Sequence, residues 1–422
     1  MQRQILIYAF LVLFLFTGNV LYAEETNEKV VNYNDYERFV KVVKMIQDKY
    51  VDEVDIKDIF HNAYKGMLSG LDSYSQFFGE EELADLKVET EGEFEGLGIE
   101  VVVKKGMLKV ISPIVDSPAM RGGILAGDII LKIDGKPADD MAFREIIKSL
   151  RGEPGSYVTL TVLHIGEAEP VDITIKRAKV QVISVRGVRI VDEEHKVGYL
   201  AITNFQDHTM EDLKTAIADL KNLGVKSIVL DLRFNPGGLL NVAIEVSDQF
   251  LKKGIIVSTK GREESEDITY KAHRSGALTK YPMVVLVNNG SASASEIVAG
   301  AIKDNKRGVL AGTKTFGKGS VQSLIPIEDG KVALKITTAR YYTPSGVSIH
   351  EKGIVPDSII ELTTEELKEL HKNLALINSA VAQEKANGKH NKEPNDTVFI
   401  DKQLENAINI LIGNESIPSI GE

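Results

Sequence analysis

The sequence predicts a multidomain α/β protein of the α+β kind: a core in which strands and helices alternate, a compact β-rich module inserted ahead of it, and helical segments at both ends. Three observations carry this. From Val197 onward, apolar runs of strand length alternate with amphipathic helical stretches, the rhythm of a partly parallel sheet covered by helices. Residues 92–178 switch to short strand-like runs punctuated by Gly and Pro. Both ends place apolar residues three and four apart, the spacing of a helix with one buried face.

Taken in order, Met1–Ala23 opens with Arg3, continues with an apolar run from Ile5 to Phe16, passes through Thr17, Gly18 and Asn19, and ends on Ala23. That is the three-part pattern of a secretory signal, so the chain is expected to be exported to a bacterial periplasm. Extended to Tyr22, the stretch could instead persist as an inner-membrane anchor over residues 5–22. Phe39, Val42, Val43, Ile46 and Tyr50 predict a helix from Tyr36. Ile59, Ala63 and Met67 share a face of a second helix over Ile56–Leu71, and Glu80–Leu86 fits a third, giving an N-terminal helical region over 32–90.

In the β-rich module, strands are expected at Gly98–Val103, Leu108–Ile111, Ile129–Ile133, Tyr157–His164 and Val171–Ile175, with short helices at Ala119–Gly122 and Ala142–Leu150. The core follows as strand Val197–Ile202, helix Thr209–Leu223, strand Ser227–Leu232, helix Leu239–Leu251, strands Ile255–Ser258 and Met283–Asn288, and helix Ser293–Lys303. Strand pattern returns over 320–341. Residues 362–386 and 400–412 read as amphipathic helices, with the charged Lys385–Asn395 as a linker between them.

Composition limits the chemistry. The 422 residues include no cysteine, which excludes disulfides, zinc ribbons, Fe–S clusters and a thiol nucleophile. The formal charge of −11 argues against nucleic acid as a partner. The histidines show no zinc spacing such as H-E-x-x-H, so no metal centre and no cofactor are expected.

Three strand-to-turn junctions of the core carry residues with chemical potential. After Met283–Asn288 comes Asn289-Gly-Ser-Ala-Ser-Ala-Ser-Glu296. A hydroxyl there lies beside the unsatisfied N–H groups of a helix start, which can receive a developing oxyanion. Ser293 with Glu296 also matches the capping box, in which the serine is an N-cap and nothing more. The second junction, Gly312–Ser320 (GTKTFGKGS), nearly matches a phosphate-binding loop. It fails because Gly319 stands where the magnesium-binding Ser or Thr would be, and because a strand follows it. What remains is Lys318 between two glycines. The third is Leu230–Gly238 (LDLRFNPGG), whose glycines let backbone N–H groups approach a ligand closely.

Together these pieces resemble the carboxy-terminal processing (tail-specific) serine peptidases. The resemblance rests on DLRFNPGG, VLVNNGSASASEIVAGAIKDNKR and GTKTFGKGSVQ, and extends to YVDEVD, GMLSGLDSYSQFF and GIVPD. One departure is Ser73, where the family usually has Pro. The resemblance implies a crotonase/Clp-like β/α peptidase core over 181–360. It implies Ser293 as nucleophile, Lys318 as its base, Gln322 as support for the lysine, and an oxyanion hole from the N–H of Ala294 and of Gly238 or Gly237, with Gly238 slightly favoured.

Such a dyad is chemically coherent, because burial disfavours the charged form of lysine and so makes it a base near neutral pH. Histidine partners (His195, His208, His273, His350) sit in no comparable motif.

Residues 92–178, with Gly96-Leu97-Gly98-Ile99 and SPAMRGGILAGDIILKIDGKP, look like a PDZ domain, which adds a peptide as a strand and holds its terminal carboxylate on backbone N–H groups. Gly96, Leu97, Gly98 and Ile99 would form the carboxylate loop, although the same four residues could be a tight turn into a strand. Arg151 follows the helix that would wall the groove, and the resemblance implies that it links tail occupancy to activity. As a helix-terminal cation it would also simply favour the dipole.

The sequence therefore implies an exported serine endopeptidase acting on proteins with exposed C-terminal tails. The alternative is a PDZ scaffold or adaptor with an inactive core. The helical ends, including the 361–422 extension, are expected to pair subunits into a homodimer, and an adaptor or regulatory partner is also conceivable.

Overall fold

The computed structural model describes residues 32–374, apart from 105, 115, 274, 275 and 372, and residues 400–413. The signal or anchor, the linker Lys385–Asn395 and the end of the first C-terminal helix lie outside the described residues. The chain divides into two compact units, one ending at Met67 and the other beginning at Leu68.

In the first unit, helix Tyr33–Lys49 is capped by Asn32, whose side chain accepts from the Asn34 N–H. A second helix begins at Ile56. The Phe60 ring bridges them, 5.9 Å from Phe39 and 6.2 Å from Tyr64. Of the apolar stripe on the first helix only Val43 is buried; Val40, Val42, Met45 and Tyr50 are exposed.

The second unit is built on a six-stranded sheet in the order Val185–Asp192, Val197–Ile202, Ser227–Asp231, Met283–Val287, Val309–Gly312 and Ser358–Ile359. The first pair is antiparallel and the others are parallel. The central strands are buried along their whole length, as continuous apolar runs covered on both faces must be. Helices Thr209–Asn222, Leu240–Phe250 and Ala294–Asp304 contribute to the core on one face. Helix Lys402–Leu411 covers the other, with Ala407 and Ile410 against Val229, Val284, Leu286 and Ala311.

A second sheet runs Gln76–Phe78, Val332–Tyr342, Ile255–Lys260 and Ile268–Lys271, with Ser320–Ile327 also paired to Val332–Tyr342. Gln76–Phe78 gives no strand signal of its own in the sequence; its partner Ala333–Lys335 is remote along the chain. Helix Glu80–Glu91 runs past the Leu86 expected from the pattern because Gly92, at φ 70°, supplies the left-handed stop and returns its N–H to the Val88 carbonyl.

The β-rich module has its own core, formed by Leu97, Val110, Ile130, Ile146, Leu160 and Val162 among others. Its antiparallel sheet has Ile99–Lys104 at one edge, paired among the described residues only to Met107–Pro113. The module is entered through Glu93–Gly96 and left through Ala178–Gln181, and these two segments pair with each other.

Candidate active site

The three chemistry-bearing turns leave the carboxyl ends of three adjacent parallel strands. Leu230 pairs with Val285, and Val285 with Leu310, so the turns after Asp231, Val287 and Gly312 start side by side. This is where open α/β sheets place ligands.

The serine-rich turn resolves into one half-buried serine and two buried, structural ones. Ser291 is buried and its hydroxyl donates to the Leu232 carbonyl at 2.7 Å. Ser295 is buried and donates to the Asn235 carbonyl at 2.9 Å. Both therefore staple the serine turn to the DLRFNPGG turn. Ser293 is only half-buried and its side chain makes no cap hydrogen bond. It stands at the helix start with φ 54° and ψ −112°, a conformation costly for a residue with a Cβ. The expected double role is thus divided: Ser293 sits at the N-cap position, but its hydroxyl is not used there.

Glu296, which the sequence offers only as the far half of a capping box, is fully buried and binds four groups. One carboxylate oxygen accepts from the backbone N–H of Ser293 at 2.9 Å and of Lys318 at 2.9 Å. The other accepts from the Thr315 hydroxyl at 2.6 Å and the Gly317 N–H at 2.8 Å. Burial pushes this carboxyl up, and these hydrogen bonds pull against it. Tyr341 makes a second link between the same two residues: its hydroxyl is 3.2 Å from the Ser293 carbonyl and within hydrogen-bond reach of the Lys318 carbonyl. The Ser293 turn and the Lys318 loop are thus tied backbone to backbone. The S-x-x-E spacing was the one signal for Glu296; nothing in the sequence pointed to Tyr341.

Lys318 is half-buried, and burial together with the neighbouring Lys335 holds its amine below the usual lysine range, against the pull of Glu296 and Glu89. Its amine lies 4.8 Å from the centroid of the Tyr74 ring. Gln322 sits opposite Thr337 in the adjoining strand pair and donates its amide hydrogens to the hydroxyls of Ser320, at 2.9 Å, and Thr337, at 3.1 Å. What it can offer a lysine amine is its carbonyl oxygen.

The two glycines of the PGG turn differ. The Gly237 N–H is taken by the Asn235 side chain at 2.9 Å, so Gly238 has the better claim as oxyanion donor beside Ala294. Gly237 still has to be glycine: a Cβ there would stand 2.8 Å from the Ser293 Cβ and 3.0 Å from the Ala294 nitrogen. Gly238, at φ 142°, would meet the Phe205 carbonyl at 2.1 Å. Beneath this turn, Arg233 is wholly buried and binds Asp231, Asp401 and Gln403, and the Phe234 ring meets His371 edge-on at 5.1 Å.

In the β-rich module Gly96, Leu97 and Gly98 are buried, and Ile99 begins the edge strand. Gly98, at φ 76°, leaves no room for a side chain against Ser117. A loop leading into an open edge strand is the arrangement that strand addition needs. Arg151 pairs with Asp85 at 2.6 Å and lies 6.0 Å over the Phe94 ring. His350, one of the rival bases, packs its backbone against Gly319, and a ring nitrogen of it is buried with no hydrogen-bond partner. Among the described residues no group of His, Asp and Glu could hold a metal ion.

Comparison with known proteins agrees with this picture. The profile of peptidase family S41 matches residues 196–360, and that of the PDZ domain matches residues 109–163. The chain is 44% identical over 341 residues to the carboxy-terminal-processing protease of Bartonella bacilliformis, covering 80% of this chain and 77% of that one. It is 35% identical over 376 residues to a protein of Staphylococcus haemolyticus described as a probable CtpA-like serine protease, covering 86% and 74% of the two chains. Among solved structures, a protein of Bacteroides fragilis described as a putative S41 protease shares the fold at a TM-score of 0.52 and 18% identity, over 83% of this chain and 98% of that one. The chain therefore belongs to the carboxy-terminal-processing proteases of peptidase family S41 and is a serine-type peptidase with a PDZ domain.

Proposed function

We propose that the chain is a Ser–Lys endopeptidase that captures the C-terminal tail of a protein substrate on its PDZ domain and hydrolyses a peptide bond through an acyl-enzyme on Ser293. The observation that carries this is the double backbone tie, through Glu296 and Tyr341, between Ser293 and Lys318. In the reaction, the Ser293 oxygen attacks the scissile carbonyl carbon while its proton passes to the Lys318 amine. The developing oxyanion is received by the N–H groups of Ala294 and Gly238. The C–N bond then breaks, Lys318 gives its proton to the departing amine, and an ester remains on Ser293. Water loses a proton to the neutral Lys318 and attacks the ester; the tetrahedral species collapses and Ser293 leaves with that proton. Gln322, uncharged, can orient the amine without raising its pKa as a carboxylate would.

Recognition is tested with a reporter protein ending in an apolar tail with a free carboxylate, beside the same protein with two aspartates appended. Cleavage of the apolar-tailed form is expected to exceed that of the form ending in aspartates by about tenfold or more in kcat/KM, burial of one apolar terminal side chain in the groove being worth about 1.5–3 kcal/mol. Equal cleavage would overturn PDZ capture. In the same assay Arg151→Ala should retain tail binding and lose turnover, since Arg151 joins the module to helix Glu80–Glu91 through Asp85. Unchanged turnover removes that role.

We also infer export and self-association, supported by the signal pattern at the start of the chain and by the exposed Val40, Met45, Tyr50 and Val51 of the first unit. Protein isolated from the cell envelope should begin at Glu24 by N-terminal sequencing and scatter light as a dimer. A start at Met1 would mean that residues 5–22 stay on as an anchor, recovery from the cytosol alone would refute export, and a monomer would refute self-association.

A further inference from the structure

We propose that Tyr74 is a positioning residue for the catalytic base: its ring face holds the Lys318 ammonium in a resting place, and the amine must leave that place to take the Ser293 proton. This rests on Lys318 being the base. The geometry is a cation over a ring, 4.8 Å from amine to centroid, within the range where the quadrupole of an aromatic face attracts a charge.

The ring is fixed by a well-bonded turn. The Asp72 carboxylate accepts from the N–H groups of Tyr74 and Ser75, both at 2.7 Å, and from the Ser75 hydroxyl at 3.0 Å. Ser75 in turn accepts from the Thr337 N–H at 3.2 Å, and Thr337 is the residue whose hydroxyl receives Gln322. Immediately after the turn, Gln76–Phe78 pairs with Ala333–Lys335. One segment of the chain therefore places the ring beside Lys318 and also holds the strand that partners Gln322. In the sequence this segment stands out only through the family resemblance of GMLSGLDSYSQFF.

The ring acts in the opposite sense to the rest of the pocket. Burial and Lys335, on the adjoining strand, favour the neutral amine. Glu296 from the nucleophile helix and Glu89 from helix Glu80–Glu91 favour the charged one. Tyr74 adds to the second group, because only the ammonium is attracted to it. Burial first, then Glu296, Asp72 and Glu351, push the Tyr74 phenol up, which favours the neutral ring. The Tyr341 hydroxyl is directed to backbone carbonyls and does not compete. Tyr74 thus opposes release of the proton from the resting amine until the amine moves.

The experiment is the pH dependence of kcat/KM on a peptide substrate, with position 74 occupied by Tyr, Phe, and Phe carrying one, two or three ring fluorines. Fluorination drains the ring face without changing its shape, so folding is preserved. The sign is fixed: weakening the ring destabilises the ammonium, lowers the pKa of Lys318, and moves the acid limb to lower pH. Across the series the limb should fall stepwise by about 0.5–1.5 pH units in total, equivalent to about three- to thirtyfold more activity below the limb.

Tyr74→Leu in a Ser293→Ala background gives a readout free of turnover: the pH midpoint for acetylation of the Lys318 amine, read by peptide mass spectrometry, should fall by the same amount. Flat midpoints in both measurements overturn the role of Tyr74. Lys318→Ala separates the two levels. If it abolishes turnover while the fluorine series is flat, only Tyr74 fails; if it retains turnover, the base assignment fails.

Discussion

Lys318→Met lowers kcat for peptide hydrolysis by roughly 10²–10⁴-fold, the span expected when a positioned general base is removed. Methionine keeps the apolar stem and discards the amine, and the substrate-facing surface is little altered, so KM stays near the wild-type value. The fold does not suffer. Lys318 is a half-buried lysine whose charge is opposed by burial and by Lys335, so an uncharged side chain of similar length relieves an unfavourable interaction. A melting temperature equal to or above that of the wild type is therefore expected alongside the loss of turnover.

The wild-type pH profile has the matching sign. The base form of a lysine with a lowered pKa appears as pH rises through that value, so activity climbs with pH and is lost on acidification. Ser293→Ala should cost about as much as Lys318→Met, and the double variant little more, as the proposed dyad acting as one unit requires. Pre-steady-state hydrolysis of a fluorogenic peptide decides it, and a fall in kcat of less than about tenfold would mean that another group takes the proton.

Arg233→Met destabilises the fold by about 3–5 kcal/mol, the usual consequence of removing one partner from a buried ion cluster. The Arg233 side chain is 0% exposed and that of Asp231 is 2% exposed. Burial alone would work against the guanidinium charge, but Asp231 and Asp401 outweigh it and hold the group charged well beyond the ordinary arginine range. Without it, Asp231 keeps the Tyr199 hydroxyl at 2.8 Å, while Asp401 loses both guanidinium contacts and retains the helix-start N–H of Leu404. Guanidinium titration should show a lower midpoint at an unchanged slope. Because Phe234 to Gly238 follow directly in the chain, kcat should fall as well. A variant as stable as wild type would mean that the cluster is energetically neutral.

Much of the core could be read in advance because its strands are continuous apolar runs bounded by turns, and such runs are self-announcing. Ser227–Asp231, Met283–Val287 and Val309–Gly312 are of this kind. Gln76–Phe78, Glu93–Gly96 and Ala178–Gln181 were not legible, because each is too short to carry a period and exists only through a partner elsewhere in the chain. The site divides the same way. Ser293, Lys318 and the PGG turn stand in long motifs. The distinction between Gly237 and Gly238 depends on where the Asn235 side chain points. Glu296 declared its cap position but not its reach across to Lys318, and Tyr74 and Tyr341 gave no signal because one is placed by the Asp72 turn and the other by pairing with Thr259.

The ribbon formed by Glu93–Gly96 and Ala178–Gln181 has a consequence for how this chain can be rebuilt. Gly96 stands directly opposite Ala178, so the peptide-reading module begins and ends on the same rung of one ladder. The rest of the module, including a separate hydrophobic core, lies between those two ends, with the Arg151–Asp85 and Arg144–Glu81 pairs as side ties to helix Glu80–Glu91. The module is a cassette: a different reader whose two ends lie one strand spacing apart, about 5 Å, could be spliced in at the same rung with the hydrolytic core left as it is, giving a cutter addressed to a different label.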